Sequence, residues 1–233
     1  DLVQRGEAIF RVSARVQRAA REVHTEIAWS HGAKRIKVNG VNQTRVSDLL
    51  GKINAVIFSP EDSDLVRGSA SNRRTFLDME LSQLHASYLH ALQRYRHAMR
   101  QRNEVLRTPN PDDALLDPWD AQLAEHGTTL IQERRRFIDQ LAPLANTAYK
   151  AIADGEEMSV VYRPDVKEDV PLIESFTAAR KSDIRQRLTT RGPHRDDLAL
   201  SLDGSPARAV ASQGQHRTIT LALKLAEVAA IGR

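Results

Sequence analysis

A stripe of apolar side chains that recurs every three or four residues constrains the fold of this chain more than any other feature. Its members are Leu77, Leu81, Leu84, Tyr88, Leu92, Tyr95 and Met99. Because this spacing puts them on one face of an α-helix, we expect a long helix over about 72–107, ended by Pro109 and Pro111. A second stripe predicts another helix over about 116–148, and the two helices should pack antiparallel as a helical arm.

Period-two patterns on both sides of this arm predict β-strands. Apolar and polar residues alternate over 9–17 and over 23–29, and a third strand ends at Asn39-Gly40, which together predict an antiparallel meander. The run 55–58 predicts a buried strand, and 198–202 predicts an alternating strand near the end of the chain. An isolated coiled coil is the alternative interpretation of the arm, but it does not account for these strands. The sequence therefore predicts a mixed α/β chain in which strands and helices occupy separate stretches, as in an α+β fold.

The composition excludes several classes of protein. Apolar residues make up 41% of the 233 residues, which is enough for a core, and no apolar run approaches the ~18 residues of a membrane helix. The chain has no cysteine, so disulfides and thiolate metal sites are excluded. Since the sequence also has no leader peptide, we expect a cytoplasmic protein with no membrane partner.

Basic residues cluster late in the chain although the net charge is only +4, from 34 Lys and Arg against 30 Asp and Glu. Between Arg180 and Arg195, six basic residues stand against one acid, Asp183, within and after a helix predicted over 172–188. Such a patch favours a polyanionic partner. A solvated helix face is the plainer alternative.

The last predicted helix begins with a capping pattern. Ser212 precedes Gln215 by three positions, which is the spacing of a capping box, and Gly214 keeps the first turn free of a side chain. The open N–H groups and the positive dipole end of such a helix start attract anions, phosphate above all. Taken alone, however, Ser-x-x-Gln is a common helix start without any ligand.

Several separated motifs together resemble one protein family. They are Phe58-Ser59-Pro60-Glu61-Asp62, Arg73-Arg74-Thr75-Phe76-Leu77-Asp78, Gln101-Arg102-Asn103, Gly192-Pro193-His194-Arg195-Asp196-Asp197 and Ala211-Ser212-Gln213-Gly214-Gln215-His216-Arg217-Thr218. In order and spacing they resemble the RecF family of bacterial recombination-mediator ATPases, over nearly the whole chain. The resemblance implies a two-lobed ABC/SMC-type ATPase head, with an antiparallel β part and a helical arm lobe.

The resemblance also implies an activity and partners. A RecF-type protein is expected to bind ATP with Mg²⁺, to bind single- and double-stranded DNA, to form a homodimer on ATP, and to work with RecO and RecR. It would support recombinase loading and the SOS response at gaps, in DNA replication and repair, as a weak DNA-dependent ATPase. The competing class is a non-enzymatic nucleic-acid-binding or scaffold module with a helical arm, in which ATP takes no part.

Two parts of a complete ATP site are missing from the sequence. A phosphate loop needs Gly-x-x-x-x-Gly-Lys-Ser/Thr, but the only Gly-Lys pair, Gly51-Lys52, is followed by Ile53 and has Val46 in place of the first glycine. The apolar strand ending in aspartate, which would place magnesium, is absent as well. We expect the loop upstream of Asp1 and the aspartate downstream of Arg233, so we interpret the chain as a fragment that is inactive alone.

The resemblance assigns roles to two short segments of the chain. The signature segment Ser212, Gly214 and Gln215 is expected to contact the terminal phosphate of an ATP held by the opposite subunit. No catalytic residue is expected within the chain. Glu61 and Asp62 are expected to sense nucleotide and couple the lobes, with plain charge pairing at a helix start as the alternative.

Arginines are the remaining candidates. Arg73 and Arg74 are expected to couple the lobes or sense nucleotide, although ion pairs with Glu61 or Asp62 and contacts with DNA stay open. The expected DNA contacts are Lys181, Arg185, Arg187, Arg94, Arg100 and Arg102. His194, Asp196 and Asp197 look like a metal cluster, but consecutive strand residues point to opposite faces, so we expect no metal site.

These assignments give a domain organisation. Residues 1–58 are expected to form the antiparallel β part of the ATPase lobe, and 59–190 the helical lobe with its two arm helices. Residues 191–233 are expected to return to the ATPase lobe with one strand and the signature helix.

Overall fold

The structure of this chain is a computed structural model that describes residues 3–18, 21–52, 54–153 and 155–231. It divides into two compact units, Asp1–Ala55 and Val56–Arg233, each with a sheet of its own. No helix within the described ranges is long and apolar enough to cross a membrane.

The first unit is the predicted antiparallel meander. Its strands lie in the order β1 (Ile9–Arg18), β2 (Arg21–Ser30), β3 (Ala33–Val38) and β4 (Val41–Gln43). Two-residue turns join the last three strands, and all four turn residues, His31, Gly32, Asn39 and Gly40, have positive φ. Positive φ at both positions is typical of type I′ turns, whose twist matches that of the strands they join. A short 3₁₀ turn, Val46–Leu49, follows the sheet.

The predicted strand over 55–58 is wrong. Residues 54–59 form neither strand nor helix, and the side chains of Ile57 and Phe58 are 70% and 54% exposed. A run of four apolar residues has no periodicity that identifies a strand, and no strand in the described ranges pairs with it. The segment leads instead into a 3₁₀ turn, Pro60–Ser63, and helix α1 (Asp64–Arg67).

The second unit is built around α2 (Ala70–Leu84), α3 (Ala86–Arg107) and α4 (Asp113–Ile152). The single helix predicted over 72–107 is interrupted at His85, whose φ of −130° and ψ of 110° are extended. No proline or glycine marks this break, so local sequence does not reveal it. The apolar stripe nevertheless continues across it, because Leu81 and Tyr88 are both fully buried.

Helices α3 and α4 pack antiparallel, as predicted. Arg134 of α4 donates from Nε to the Tyr88 hydroxyl of α3 at 3.0 Å. Further along α3, Arg102 Nε donates to Asp120 Oδ1 of α4 at 2.5 Å. Early residues of α3 therefore meet late residues of α4, and the reverse. The Asp112 carboxylate caps the start of α4, where the short side chain satisfies a free backbone N–H.

A three-stranded antiparallel sheet and four further helical segments of this unit complete its core. They include β5 (Met158–Arg163), β6 (Asp197–Leu202), β7 (Ser205–Pro206), α5 (Leu172–Gln186), α6 (Ala207–Val210), α7 (Gln213–Ile231) and a 3₁₀ turn at Pro193–Arg195. The predicted alternation of β6 is confirmed, because Leu198, Leu200 and Leu202 are buried between half-buried neighbours. These leucines join one core cluster with the stripes of α2, α3 and α4.

Helix α7 contributes one apolar face to the same core. Ile219 and Leu223 are buried, whereas Leu225 and Val228 are 45% and 54% exposed. Burial of this largely apolar helix is therefore incomplete within the described residues. The functional division into 1–58, 59–190 and 191–233 stays a prediction, since compactness alone separates Asp1–Ala55 from the rest.

Candidate functional site

The start of α7 carries the predicted capping box. The backbone N–H of Ser212 donates to Gln215 Oε1 at 2.7 Å, and the backbone N–H of Gln215 donates to Ser212 Oγ at 3.2 Å. Each side chain thus satisfies the other's backbone donor. The box fixes the Ser212 side chain at the exposed end of the helix.

Three hydrogen-bond donors at this helix start have no acceptor within the described chain. They are the backbone N–H groups of Gln213 and Gly214 and the hydroxyl hydrogen of Ser212, whose oxygen accepts from Gln215. A Cβ added at Gly214 would meet only Ser212 Oγ, at an ordinary 3.8 Å. Packing inside the chain therefore does not require glycine here. Glycine adds no side chain beside the three donors, which lie where the helix dipole favours an anion.

Glu156 ties the signature segment to the end of α4. Gln215 Nε2 donates to Glu156 Oε1 at 2.6 Å, and the Tyr149 hydroxyl donates to Glu156 Oε2 at 2.6 Å. The pKa of Tyr149 is raised mainly by burial and secondly by the Glu156 carboxylate, so the phenol stays protonated and donates. Glu156 lies outside every motif of the sequence. It reaches the site only because the fold brings it into contact with Gln215, which is 59 residues away in sequence.

The segment after Phe58 packs beside the same helix start. A cavity of about 390 Å³ is lined by Phe58, Ser59, Ser63, Arg67, Gln213, His216, Arg217 and Thr220. Asp62 accepts the backbone N–H of Ser59 at 2.6 Å, which confirms a capped helical start at this point. The Thr220 hydroxyl lies 3.4 Å from the Asp62 carbonyl, so the Glu61-Asp62 segment contacts the signature helix. Glu61 itself is exposed.

The two adjacent arginines of α2 bind the start of β6. Arg73 makes a two-point ion pair with Asp197, with Nε to Oδ1 at 2.6 Å and Nη2 to Oδ2 at 3.0 Å. Arg74 Nη1 donates to the Asp196 carbonyl at 2.8 Å. The alternative ion pair with Glu61 or Asp62 is wrong for Arg73, because Asp197, 124 residues away in sequence, takes that place. The pKa of Arg74 is lowered mainly by burial and secondly by the positive charge of Arg134.

Asp196 is the centre of a buried polar network that the sequence did not reveal. It accepts Arg134 Nη1 at 2.9 Å, the backbone N–H of Asp165 at 2.9 Å and the Tyr162 hydroxyl. Burial raises the pKa of Asp196, although Arg134 and Tyr162 oppose the shift. Arg134 also donates to Asp78 at 2.8 Å. The network therefore joins α2, α4 and β5 to the loop before β6.

His194 has partners of its own. Its Nδ1 lies 2.7 Å from the Tyr95 hydroxyl and its Nε2 lies 3.0 Å from the Thr189 carbonyl. A carbonyl accepts only, so the imidazole hydrogen is on Nε2 and Nδ1 accepts from Tyr95. His194, Asp196 and Asp197 thus turn to different partners, and no three metal-ligating side chains converge anywhere in the described ranges.

Among the candidate DNA contacts, Arg102 requires a correction. Its side chain is fully buried, with Nε on Asp120 at 2.5 Å and Nη1 on Asp183 at 2.6 Å. A guanidinium closed off from solvent by two carboxylates does not reach a phosphate, so the predicted DNA contact is wrong for this residue. The remaining candidates are exposed and make no ion pair with a described residue: Lys181, Arg185, Arg187, Arg94 and Arg100.

The charge cluster counted along the sequence is smaller in three dimensions. Arg180 pairs with Asp117 and Asp120, both on α4. Arg191 and Arg195 lie 3.3 Å and 3.9 Å from Asp165. Half of the six cations therefore pair with acids that are distant in sequence. The other three lie at the end of α5 and make up what we call the basic face of α5: Lys181 and Arg185 on the helix and Arg187 at its C-cap.

Comparison with known proteins identifies relatives. No protein-family model matches the sequence. The DNA replication and repair protein RecF of Bacillus cytotoxicus is 37% identical over 240 residues, covering 98% of this chain and 64% of its own length. RecF of Synechococcus sp. strain JA-3-3Ab is 41% identical over 248 residues, with the same coverage. A solved structure of the recombination mediator RecF-ATP in the RecFOR pathway superposes with a TM-score of 0.91 at 30% identity, over 100% of this chain and 66% of that one.

As predicted, the chain has a mixed α/β fold, and the RecF-ATP structure has the same fold over the part that superposes. The chain belongs to the RecF family. It spans less than two thirds of the length of the curated relatives it matches.

Proposed function

We propose that this chain is the signature-bearing part of a DNA replication and repair ATPase of the RecF type. The observation that carries the proposal is the helix start at Ser212. Three hydrogen-bond donors there are open to an anion, and packing within the chain does not require glycine at position 214. In this proposal the Ser212 hydroxyl and the N–H groups of Gln213 and Gly214 bind the terminal phosphate of an ATP held by a second subunit. Gln215 positions Ser212 through the capping box.

The described residues suit one face of an ATP site. The donors at the signature segment fit a phosphate, whereas the sequence has no Gly-Lys-Ser/Thr to surround the phosphate chain. No group of three or more metal-ligating side chains converges in the described ranges. We therefore propose that tight ATP and Mg²⁺ binding and weak DNA-dependent ATPase activity belong to the complete protein. The chain alone is expected to be inactive.

Two connections support a role for the central motifs in coupling nucleotide to the helical lobe. Asp62, next to Glu61, touches Thr220 on the signature helix. Arg73 and Arg74 hold α2 on the segment that begins β6. We propose that a phosphate at Ser212 shifts α7 and that Glu61 and Asp62 sense this shift. The two arginines then pass it between the predicted helical lobe, 59–190, and the predicted ATPase lobe, 1–58 with 191–233.

DNA binding is proposed for the exposed cations. The basic face of α5, together with Arg94 and Arg100 of α3, offers five unpaired charges to a phosphate backbone. Contacts with phosphates need no surface that is specific for one form of DNA, so single- and double-stranded DNA both fit. By likeness to RecF of the RecFOR pathway, we propose RecO and RecR as partners, a cytoplasmic location, and support of recombinase loading and the SOS response at gaps.

The experiment compares two capping serines in the full-length protein. Ser212→Arg should abolish ATP-driven dimerisation, measured by sedimentation, and leave nucleotide binding, measured by titration, unchanged. Ser69→Arg is the matched control, because Ser69 forms the equivalent box with Asn72 at the start of α2. Equal loss of dimerisation in both variants would mean that the substitution merely unfolds a helix start. A wild-type protein indifferent to ATP would favour the non-enzymatic module.

A further inference from the structure

Two buried carboxyl groups meet between α2 and α7. Glu80 on α2 and Glu227 on α7 are 2% and 1% exposed. Lys224 Nζ lies 3.1 Å from Glu227 Oε2 and 4.0 Å from Glu80 Oε1, and it also lies 5.2 Å from the centre of the Phe76 ring. The contact joins the helix of the Arg73-Arg74 motif to the helix of the signature segment.

The charges in this contact do not balance if both carboxyls are ionised. One ammonium group stands against two carboxylates, and burial makes the second, uncompensated negative charge unfavourable. In addition, Glu80 Oε2 and Glu227 Oε1 have no hydrogen-bond donor in the described chain. An ionised carboxylate only accepts, whereas a protonated one also donates. A single proton held between the two groups removes the excess charge and gives one oxygen a donor.

We propose that Glu80 and Glu227 share one proton, and that Glu80 is a positioning residue which holds the signature helix on α2 through this bond. Burial, followed by the neighbouring Glu227, raises the pKa of Glu80 to about 9, with Lys224 opposing the shift. The charged groups that face Glu80 are Lys224 and Glu227 from α7 and Asp62 from the 3₁₀ turn. Two of the three are acidic, which favours retention of the proton.

A cavity gives the shared proton a path to solvent. It measures about 240 Å³ and is lined by Glu61, Asp62, Glu80 and Lys224, among others. Within this lining, Glu61 is exposed and Glu80 is buried. Proton exchange therefore does not require unfolding. The cavity also places the pair next to the Glu61-Asp62 segment, which contacts α7 at Thr220.

The proton itself is tested without ATP. Infrared spectroscopy of the full-length protein near neutral pH should contain the carbonyl band of a protonated carboxyl group, and Glu80→Gln or Glu227→Gln should each remove it. Glu104→Gln is the matched control, because Glu104 is an exposed glutamate on α3, and it should leave the band in place. A band that survives both Glu80→Gln and Glu227→Gln would overturn the proposal, as would its absence from the wild type.

The positioning role rests on the proposed ATP response, so its test is separate. Glu80→Gln keeps a donor toward Glu227 at every pH and should dimerise on ATP like the wild type near neutral pH. The wild type should lose dimerisation above about pH 9 while Glu80→Gln does not. Glu80→Ala lacks the donor and should dimerise roughly tenfold more weakly at all pH values. Identical pH profiles for wild type and Glu80→Gln would overturn the positioning role. A wild type that never dimerises on ATP would overturn the proposed function and, with it, this role, but not the shared proton.

Discussion

Arg102 of α3 and Asp120 of α4 form an ion pair with 2.5 Å between Nε and Oδ1, and both side chains are fully buried. The same guanidinium bonds Asp183 of α5 at 2.6 Å and the Thr189 hydroxyl at 3.0 Å. Asp120 in turn accepts Arg180. One buried charge thus connects three helices, which explains why an arginine within a helical arm is closed to DNA.

We expect Arg102→Met to lower the free energy of unfolding by about 3–5 kcal/mol, because it leaves the buried carboxylate of Asp183 without its cation and takes one of two cations from Asp120. Urea unfolding followed by circular dichroism measures the loss. Arg107→Met on the same helix should change it by less than about 1 kcal/mol, since the Arg107–Glu104 pair is exposed. If Arg102→Met folded and showed a flatter salt dependence of DNA binding, Arg102 would be a DNA contact after all.

The basic face of α5 is expected to set the salt dependence of DNA binding. Each neutralised phosphate contributes about 0.9 to the slope of log affinity against log salt, so replacing Lys181, Arg185 and Arg187 with alanine should flatten it by up to about 2.7. The variant's affinity for DNA molecules of unrelated base sequence should fall to the same extent. The control removes three other exposed cations, Arg136, Lys150 and Arg208. Equal slopes for the α5 variant and the wild type would mean that DNA binds elsewhere.

Substitution at Gly214 should separate function from stability. Gly214→Ala meets no close neighbour and should leave stability unchanged or raise it by up to about 1 kcal/mol, because alanine favours helix. It should nevertheless weaken ATP-driven dimerisation by placing a methyl group over the open donors. Gly192→Ala is the contrasting case, since Gly192 has a φ of +120° and its Cβ would lie 2.6 Å from the Tyr95 hydroxyl. Thermal unfolding should show a large loss only for Gly192→Ala.

Stability is expected to fall in mild acid because of His194. Burial lowers the pKa of His194 in the folded protein, while the unfolded chain keeps the ordinary value of about 6.5. The unfolded state therefore binds more protons as pH falls below about 6.5, and stability decreases by up to about 1.4 kcal/mol per pH unit. His194→Gln should reduce this slope. His85→Gln, at an exposed position, should not, and a slope unaffected by either change would contradict the prediction.

The sequence by itself determined the elements whose cause is local. Alternation and the positive-φ turn residues around Gly32 and Gly40 specify the meander, because each hairpin needs only neighbouring residues. The apolar stripes specify the long helices, and the spacing of Ser212 and Gln215 specifies the capping box. All of these depend on residues within a few positions of one another. The family was evident from the order of the motifs.

The tertiary structure alone decided which charges remain free and which residues share a site. Arg102 and Arg180 look like surface cations in sequence, yet Asp120 and Asp183 neutralise them across 18 to 81 residues of chain. The break at His85, with no local marker, and the link from Gln215 to Glu156 were equally hidden. For the charged and hydrogen-bonding side chains the physical reason is the same. An ionised or hydrogen-bonding side chain is stable in the interior only beside its partner, and that partner is fixed by packing between distant segments rather than by local spacing.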